Sequence, residues 1–412
     1  MRSHTTVKRL TAIGVAGSAC LLSILSYQYA HRLRPAPEAV QESGLAIIHT
    51  ELAKLKVSVF GQTERGQRIT AEVNRLLADR ISKGNLEAAE AGASQNELWQ
   101  AIEENGLPMV LVPEDNGGVG GGWDEAEVVM RAAGKYQAPV PLVESILAGW
   151  LLSQAGLDMP TGMLSIAPVR ADEALSITKD GRLTGTVTRV PWGRNVGHLA
   201  VFCRCEGAGT IALVAGDAWS VTLEDRNIAA EPRDTLAFDG PAIAFAPLPE
   251  EIDPDRLFAF GALARSSQIS GALESILEQT VQYANDRTQF GQPIGKFQAV
   301  QQELARMAGE VAAAGAAVES ASRAADRRGS GAGFEMAVAK IRASEAASIV
   351  AGITHQTHGA IGFTYEHSLH FATRRLWSWR AEFGSENYWA EHLGRSLASH
   401  GGQSLWPYLV DR

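Results

Sequence analysis

The stretch with the clearest chemical potential is Tyr283-Ala-Asn-Asp-Arg-Thr-Gln-Phe-Gly-Gln-Pro-Ile-Gly-Lys-Phe-Gln-Ala-Val-Gln-Gln302. Arg287 carries a planar fork of donors that suits a phosphate or diphosphate bidentately. Phe290 lies three residues on, and Gln298 and Gln301 supply neutral amides for ribose or ring contacts. The elements that must hold them follow from spacing. Leu273, Ile276, Leu277, Thr280 and Tyr283 recur at three- and four-residue steps, which predicts a helix. Gly291, Pro293 and Gly295 break it, and Phe297, Val300, Leu304 and Met307 begin another. A plainer use of the same residues is an arginine at a helix C-terminus with Phe290 plugging the core.

Further along, Gln356-Thr-His-Gly-Ala-Ile-Gly-Phe-Thr364 offers glycines that let backbone approach a ligand, or simply a helix cap and turn. Arg287 to Gln298 resembles the R-x-x-F-G-x-x-I-x-x-x-Q segment of acyl-CoA dehydrogenases, and Gln356 to Thr364 their Q-x-x-G-G-x-G-[YF]-[ST]. The resemblance covers residues ~74 to 412 and implies a mostly helical α+β chain. Its expected parts are an N-terminal helical domain, a central antiparallel β-domain and a C-terminal four-helix bundle.

The resemblance also implies FAD as cofactor, an acyl-CoA as substrate and an electron-transfer flavoprotein as acceptor. A homo- or hetero-tetramer with another such chain is the implied assembly. On the matching positions, Arg287, Gln289, Phe290, Gln298, Gln356, Gly359, Ala360 and Ser385 become the cofactor-binding candidates. Ala360 departs from the pattern, because the family has glycine there.

The reaction of this family removes an α-proton with a carboxylate, which must stand within proton-transfer reach of the substrate. Its usual position, counted without gaps, is Phe383 in Glu382-Phe-Gly-Ser385. The alternative position, on the helix leading into the arginine motif, is Gly261. Neither residue can take a proton. Glu382 is one place off, and a shift of one residue turns a side chain the other way on an extended segment. No catalytic residue is therefore assigned, with Glu382 the remaining candidate. The pattern resembles the short chains of two-plus-two acyl-CoA dehydrogenases of bacterial steroid side-chain breakdown. This implies two roles: a dehydrogenase subunit of a multi-chain enzyme, or an inactive support subunit completing a partner's FAD site.

The family's strand-and-loop around the flavin has no clear counterpart; Leu164-Ser-Ile-Ala-Pro-Val-Arg-Ala-Asp172 stands in its place. Trp192 is read either as lying beside the flavin or as a buried strand aromatic.

The rest of the chain sets bounds. A net charge of −9 with no basic stripe argues against nucleic acid. Cys20, Cys203 and Cys205 cannot make a disulfide framework, so a reducing compartment and a cytoplasmic location are expected. Cys203 and Cys205 lack the further ligands of a zinc site, and His355, His358, His367 and His370 lack the spacing, so no metal is expected. Residues 10–30 are uncharged and just long enough to cross a bilayer or serve as a signal-like segment, so membrane attachment there stays open.

Residues 1–70 are read as an extension, 71–160 as helical, 161–250 as the β-domain and 251–412 as helical again. The glycine-rich run from Gly117 to Gly122 is read as a turn, although backbone N–H groups in such loops can also cradle phosphate.

Overall fold

The computed structural model describes residues 64–170, 172–403 and 405–410. The expected segment at 10–30 lies outside them; among the described residues no helix is long and apolar enough to cross a membrane.

Five helices come first: α1 (Glu64–Arg80), α2 (Lys83–Glu90), α3 (Asn96–Glu104), α4 (Trp123–Lys135) and α5 (Leu142–Gln154). Helix α1 buries Val73 and Leu77 against α3 and α4, with Ile69 packed beside them. A domain boundary at residue 70 would therefore cut through α1, whose apolar stripe begins before it. The glycine run is a turn. Gly118 donates to Pro113 O, Gly120 to Val112 O and Gly121 to Val110 O. A Cβ on Gly118 would fall 2.1 Å from Val112 O, so only glycine lets the two backbones approach this closely. With these N–H groups already spent, the run offers no phosphate cradle.

The strands follow as β1 (Leu164–Ala167), β2 (Ser176–Ile177), β3 (Arg182–Pro191), β4 (His198–Cys205), β5 (Ala208–Ala215), β6 (Trp219–Leu223), β7 (Arg233–Pro241) and β8 (Ala244–Pro247). They form one sheet in the order β6-β7-β3-β2-β4-β5-β8, with β1 alongside β4. The expected antiparallel pairing holds for β3–β7, β4–β5, β5–β8 and β6–β7, but β1 runs parallel to β4, making the sheet mixed. Strand β1 enters straight from α5, and Ser145 Oγ bonds both the N–H and the carbonyl of Leu164, which fixes that direction. Alternation along β3 buries Leu183 and Val187 on one face, and a register shift between Val187 and Val190 brings Val190 into the same core, shared with Leu199, Val201 and Cys203. Cys203 is thus a packing residue.

The second helical block contains α6 (Pro254–Asp286), α7 (Gln298–Arg328), α8 (Gly333–His358), α9 (Leu369–Trp379), α10 (Glu386–His400) and α11 (Leu405–Val410). Asp253 caps α6 by accepting from Arg256 N at 2.8 Å. Helix α6 is buried on nearly every side, against α4 toward its start and against α8 and α9 toward its end. Small residues make this possible: a Cβ on Gly134 or Gly271 would collide with the backbone of the facing helix at 2.0 and 1.8 Å. Helix α6 therefore runs from one candidate region, at Gly261, to the other, at Arg287.

Candidate functional site: a filled base position and an open loop

At its C-terminal end α6 stops at Asp286. The loop beyond turns tightly through a two-residue ladder, Thr288–Gln289 against Gln292–Pro293. Phe290 (φ +51°) and Gly291 (φ +82°) take the left-handed conformations that such a turn requires. Phe290 is 92 % exposed and meets Phe297 edge to face at a centroid distance of 6.2 Å. An aromatic ring held outward at strained backbone does not serve a core. The plainer reading of Phe290 as a core plug is excluded. Arg287 donates its backbone N–H to Tyr283 O, and its exposed guanidinium has no partner among the described residues. Gln301 spends its amide on Gly295 O at 3.0 Å and braces the loop, whereas Gln289 and Gln298 are exposed.

The second motif lies at the same end of the bundle. Gln356 is exposed on the last turn of α8, Gly359 (φ +63°) ends that helix, and Ala360 is exposed just beyond. Tyr283, one turn before Arg287, joins the motifs by stacking on His358 at 4.3 Å and donating to its carbonyl at 3.3 Å. The Thr280–Thr354 hydroxyl pair, 2.6 Å apart, supports the join from below.

His355 stacks on Phe363, and His358 meets His367 edge to face. Burial lowers the pKa of all four clustered histidines, the two others being His367 and His370. They act as aromatic packing. Among the described residues no group of His, Cys, Asp or Glu could hold a metal ion.

The other region lies toward the start of α6, where both base positions of the sequence pattern fall at one point. Phe383 is 6 % exposed and adopts φ +53°. A Cβ on Gly261 would sit 2.2 Å from Phe383 Cδ1, so the ring rests directly on the bare backbone of α6. Phe258, 5.8 Å away, packs beside it, and Trp389 Nε1 donates to Phe383 O at 2.8 Å. The two positions fill one another.

Glu382 turns the opposite way, into a network of arginines. Arg233 Nε donates to one carboxylate oxygen and Arg265 Nε to the other, each at 2.7 Å, and Asn227 adds a bond at 3.3 Å. Arg265 continues to Glu144 at 2.6 Å, and Glu231 bridges Arg233 and Arg375. Three carboxylates face three guanidiniums, so the buried cluster is balanced. Burial pushes the Glu382 carboxyl up, but Arg233 and Arg265 outweigh it and hold the pKa at about 2. Such a group is a weak base, and every donor it meets belongs to the protein.

Ser385 caps α10 by accepting from Tyr388 N at 3.3 Å. Trp192 (φ +57°) is half-buried against the sheet core and donates its backbone N–H to Pro232 O. Arg374 pairs with Glu90, and Arg380 pairs with Glu386. The residues that sequence reasoning missed are Glu144, Glu231, Arg233 and Arg265. One signal was available: Arg265 interrupts an otherwise apolar and small stretch of α6.

Against known proteins, residues 63–159 match the acyl-CoA dehydrogenase N-terminal domain and 255–398 the acyl-CoA dehydrogenase C-terminal domain. The first match begins ahead of the expected start near Asn74 and agrees with α1. The chain is similar to the acyl-CoA dehydrogenase IpdE2 of Mycolicibacterium smegmatis, 30 % identical over 75 % of this chain and 90 % of that protein. In structure it resembles a chain of the ChsE4-ChsE5 complex from Mycobacterium tuberculosis, with TM-score 0.74 and 25 % identity over 82 % of this chain and 98 % of the other. A chain in the FAD complex of PigA shares the fold, with TM-score 0.72 and 18 % identity over 83 % of this chain and all (100 %) of the other.

Proposed function

This chain belongs to the acyl-CoA dehydrogenase family, and from that premise we propose that it is one subunit of a multi-chain enzyme, lending part of an FAD site while a partner chain supplies the catalytic base. One observation carries the reading: the Phe383 ring occupies the space over Gly261, so both base positions hold groups that cannot accept a proton. The open end of the bundle fits the cofactor. Arg287 has a free donor fork for a diphosphate, Phe290 an uncovered ring, and Gly359 has no atom within 4 Å of where its Cβ would stand.

Bound there, FAD would supply the hydride acceptor for α,β-dehydrogenation of an acyl-CoA. Arg287, with Gln289, Phe290 and Gln298, would orient the diphosphate end. Gln356, Gly359 and Ala360 would line a neighbouring stretch, and Ser385, already a helix cap, keeps a hydroxyl proton to donate. Because these residues are exposed on a lone chain, the site needs a second chain to exclude water. The similarity to a chain of a two-protein complex supports that assembly, with an electron-transfer flavoprotein as acceptor and a bulky alicyclic acyl group among the substrates to test.

The alternative of a self-sufficient enzyme using Glu382 meets two obstacles. That carboxylate is held between two arginines, and general-base work at neutral pH calls for a pKa nearer 7. The test is dye reduction with a panel of acyl-CoAs, on the lone chain and on the complex co-purified with a neighbouring acyl-CoA dehydrogenase gene product. The expectation is turnover and bound flavin only in the complex, with fewer flavins than chains. Robust turnover by the lone chain would sink the proposal.

A further inference from the structure

His358 ends α8 inside the second motif, and the bonds beneath it fix where its hydrogen lies. Thr280 Oγ1 donates to Ile276 O at 2.6 Å, so the hydrogen shared between the Thr280 and Thr354 hydroxyls comes from Thr354. The Thr354 hydroxyl is thus spent as a donor, and its carbonyl can only accept. His358 Nδ1, 2.9 Å from Thr354 O and 3.3 Å from Thr354 Oγ1, must therefore carry the ring hydrogen. That leaves Nε2 as the bare nitrogen. It is buried without a hydrogen-bond partner, in a residue only 4 % exposed.

A proton added at Nε2 would create a buried, charged N–H with no acceptor. The groups around the ring offer no relief. Tyr283 of α6 stacks on it at 4.3 Å, His367 meets it edge to face at 4.9 Å, and His355 lies one turn back on α8. Lys83 of α2 acts on His367 in turn. None of these is a carboxylate. Burial pushes the His358 pKa down; the bond to Thr354 O works the other way, and His367 and His355 side with burial. Resting on the family reading above, we propose that His358 is a positioning residue of the cofactor site: as neutral imidazole it holds α8 on α6 through Tyr283 and so sets the Arg287 loop against the Gly359 turn, and on protonation it lets the two motifs separate. The open end of α6 is then acid-sensitive. Protonation is easier in the opened form, so the join is fully present above about pH 6.5, the ordinary imidazole value, and is lost as pH falls below it.

Hydrogen exchange on the full-length lone chain reads this join without the cofactor. After correction for the intrinsic exchange rate, protection across residues 279–286 and 353–362 should fall by about tenfold between pH 7.5 and 5.5, because each pH unit below the free imidazole value favours the protonated, opened form about tenfold. His358→Phe keeps a ring on Tyr283 and cannot take a proton, so protection there should change by less than about twofold. His370→Phe is the control. His370 also donates Nδ1–H to a carbonyl, His367 O at 2.7 Å, and has a buried, unpartnered Nε2, but its ring meets Tyr365 and Phe371. Its substitution should leave the fall around Tyr283 in place.

In the co-purified complex, flavin retention should fall over the same interval and stay level in His358→Phe. Level protection in the native chain from pH 7.5 to 5.5 would overturn the inference, and that measurement needs no variant to fold. So would a fall that persists in His358→Phe, or one that His370→Phe abolishes. Flavin held at pH 7.5 and equally held at 5.5 would overturn the positioning role and leave the subunit reading standing, whereas no flavin at either pH would overturn both.

Discussion

The two ends of α6 have opposite characters. At Gly261 every group is matched from within the chain: ring on glycine, carboxylate between two guanidiniums, indole on carbonyl. At Arg287 an arginine, two glutamines and a phenylalanine are held out by a braced loop, and the three polar side chains have no hydrogen-bond partner among the described residues. A family reaction needs an ionisable group at the first place and a cofactor at the second. Here the first place is filled by an apolar ring packed on bare backbone, while the second stays exposed. The difference shows why residue type alone is a poor guide. A glutamate beside the usual base position reads as a displaced base in the sequence. In the fold it joins Arg233 of the sheet to Arg265 of the bundle.

Breaking the closed end should cost the most. Glu382→Gln leaves Arg233 and Arg265 buried and short of a counter-ion, which should destabilise the chain by about 3–5 kcal/mol in a denaturant melt. The same contact predicts a pH dependence. The folded pKa, about 2, lies below the ordinary 4.5. The contribution is therefore fully present above about pH 4.5 and is lost as pH falls toward 2. A variant as stable as the native chain, with an unchanged acid limb, would show that the network carries no weight.

The open end should answer differently. Arg287→Ala removes no side-chain hydrogen bond or ion pair among the described residues, so chain stability should stay within about 0.5 kcal/mol. Flavin retention by the co-purified complex should weaken by about 1.5–3 kcal/mol, as for losing a bond to a charged group. Flavin absorbance per chain is the measurement, and an unchanged value would remove Arg287 from the site. A large drop in melting temperature would instead collapse the contrast between the two ends.

How far this contrast could be read beforehand depends on the range of the contacts involved. The loop at Arg287 was legible because its parts are consecutive: a helical stripe, breakers at Gly291, Pro293 and Gly295, and a second stripe. The helix–strand–helix order was legible because periodicity is local. Direction within the sheet was not, since β1 pairs in parallel with β4 and is tied at Leu164 to a hydroxyl on α5, neither of which an alternation pattern reveals. The arginine network was hidden for the same reason: Arg233 and Glu382 lie 149 positions apart and on different layers. Sequence identified Gly261 and Phe383 separately as vacant positions but could not show that one vacancy is filled by the other.

That contact gives the next test, smaller in energy but specific. Gly261→Ala places a methyl group 2.2 Å from the Phe383 ring and should cost about 1–3 kcal/mol by overpacking. In a Phe383→Ala background the same change enters vacated space and should cost little. The pair should therefore couple by about 1 kcal/mol or more in a double-mutant cycle. Strict additivity would mean that the ring and the glycine do not share one space in solution.

The smallest effect is expected at Ala360, where the open end departs from the family's glycine. Ala360 is exposed and follows Gly359, whose own Cβ position has nothing within 4 Å. An exposed methyl group leaves little to be relieved within the described residues by its removal. Glycine there should lower stability by less than about 1 kcal/mol, through backbone entropy alone. Any gain must come from a ligand or partner passing close to the backbone. If the cofactor crosses between Gly359 and Gly362, Ala360→Gly should raise flavin retention by the complex while slightly lowering the melting temperature of the lone chain. Opposite signs in the two measurements would locate the crossing. A loss in both would mean that Ala360 acts within the chain, and the cofactor's path would have to be sought nearer Arg287.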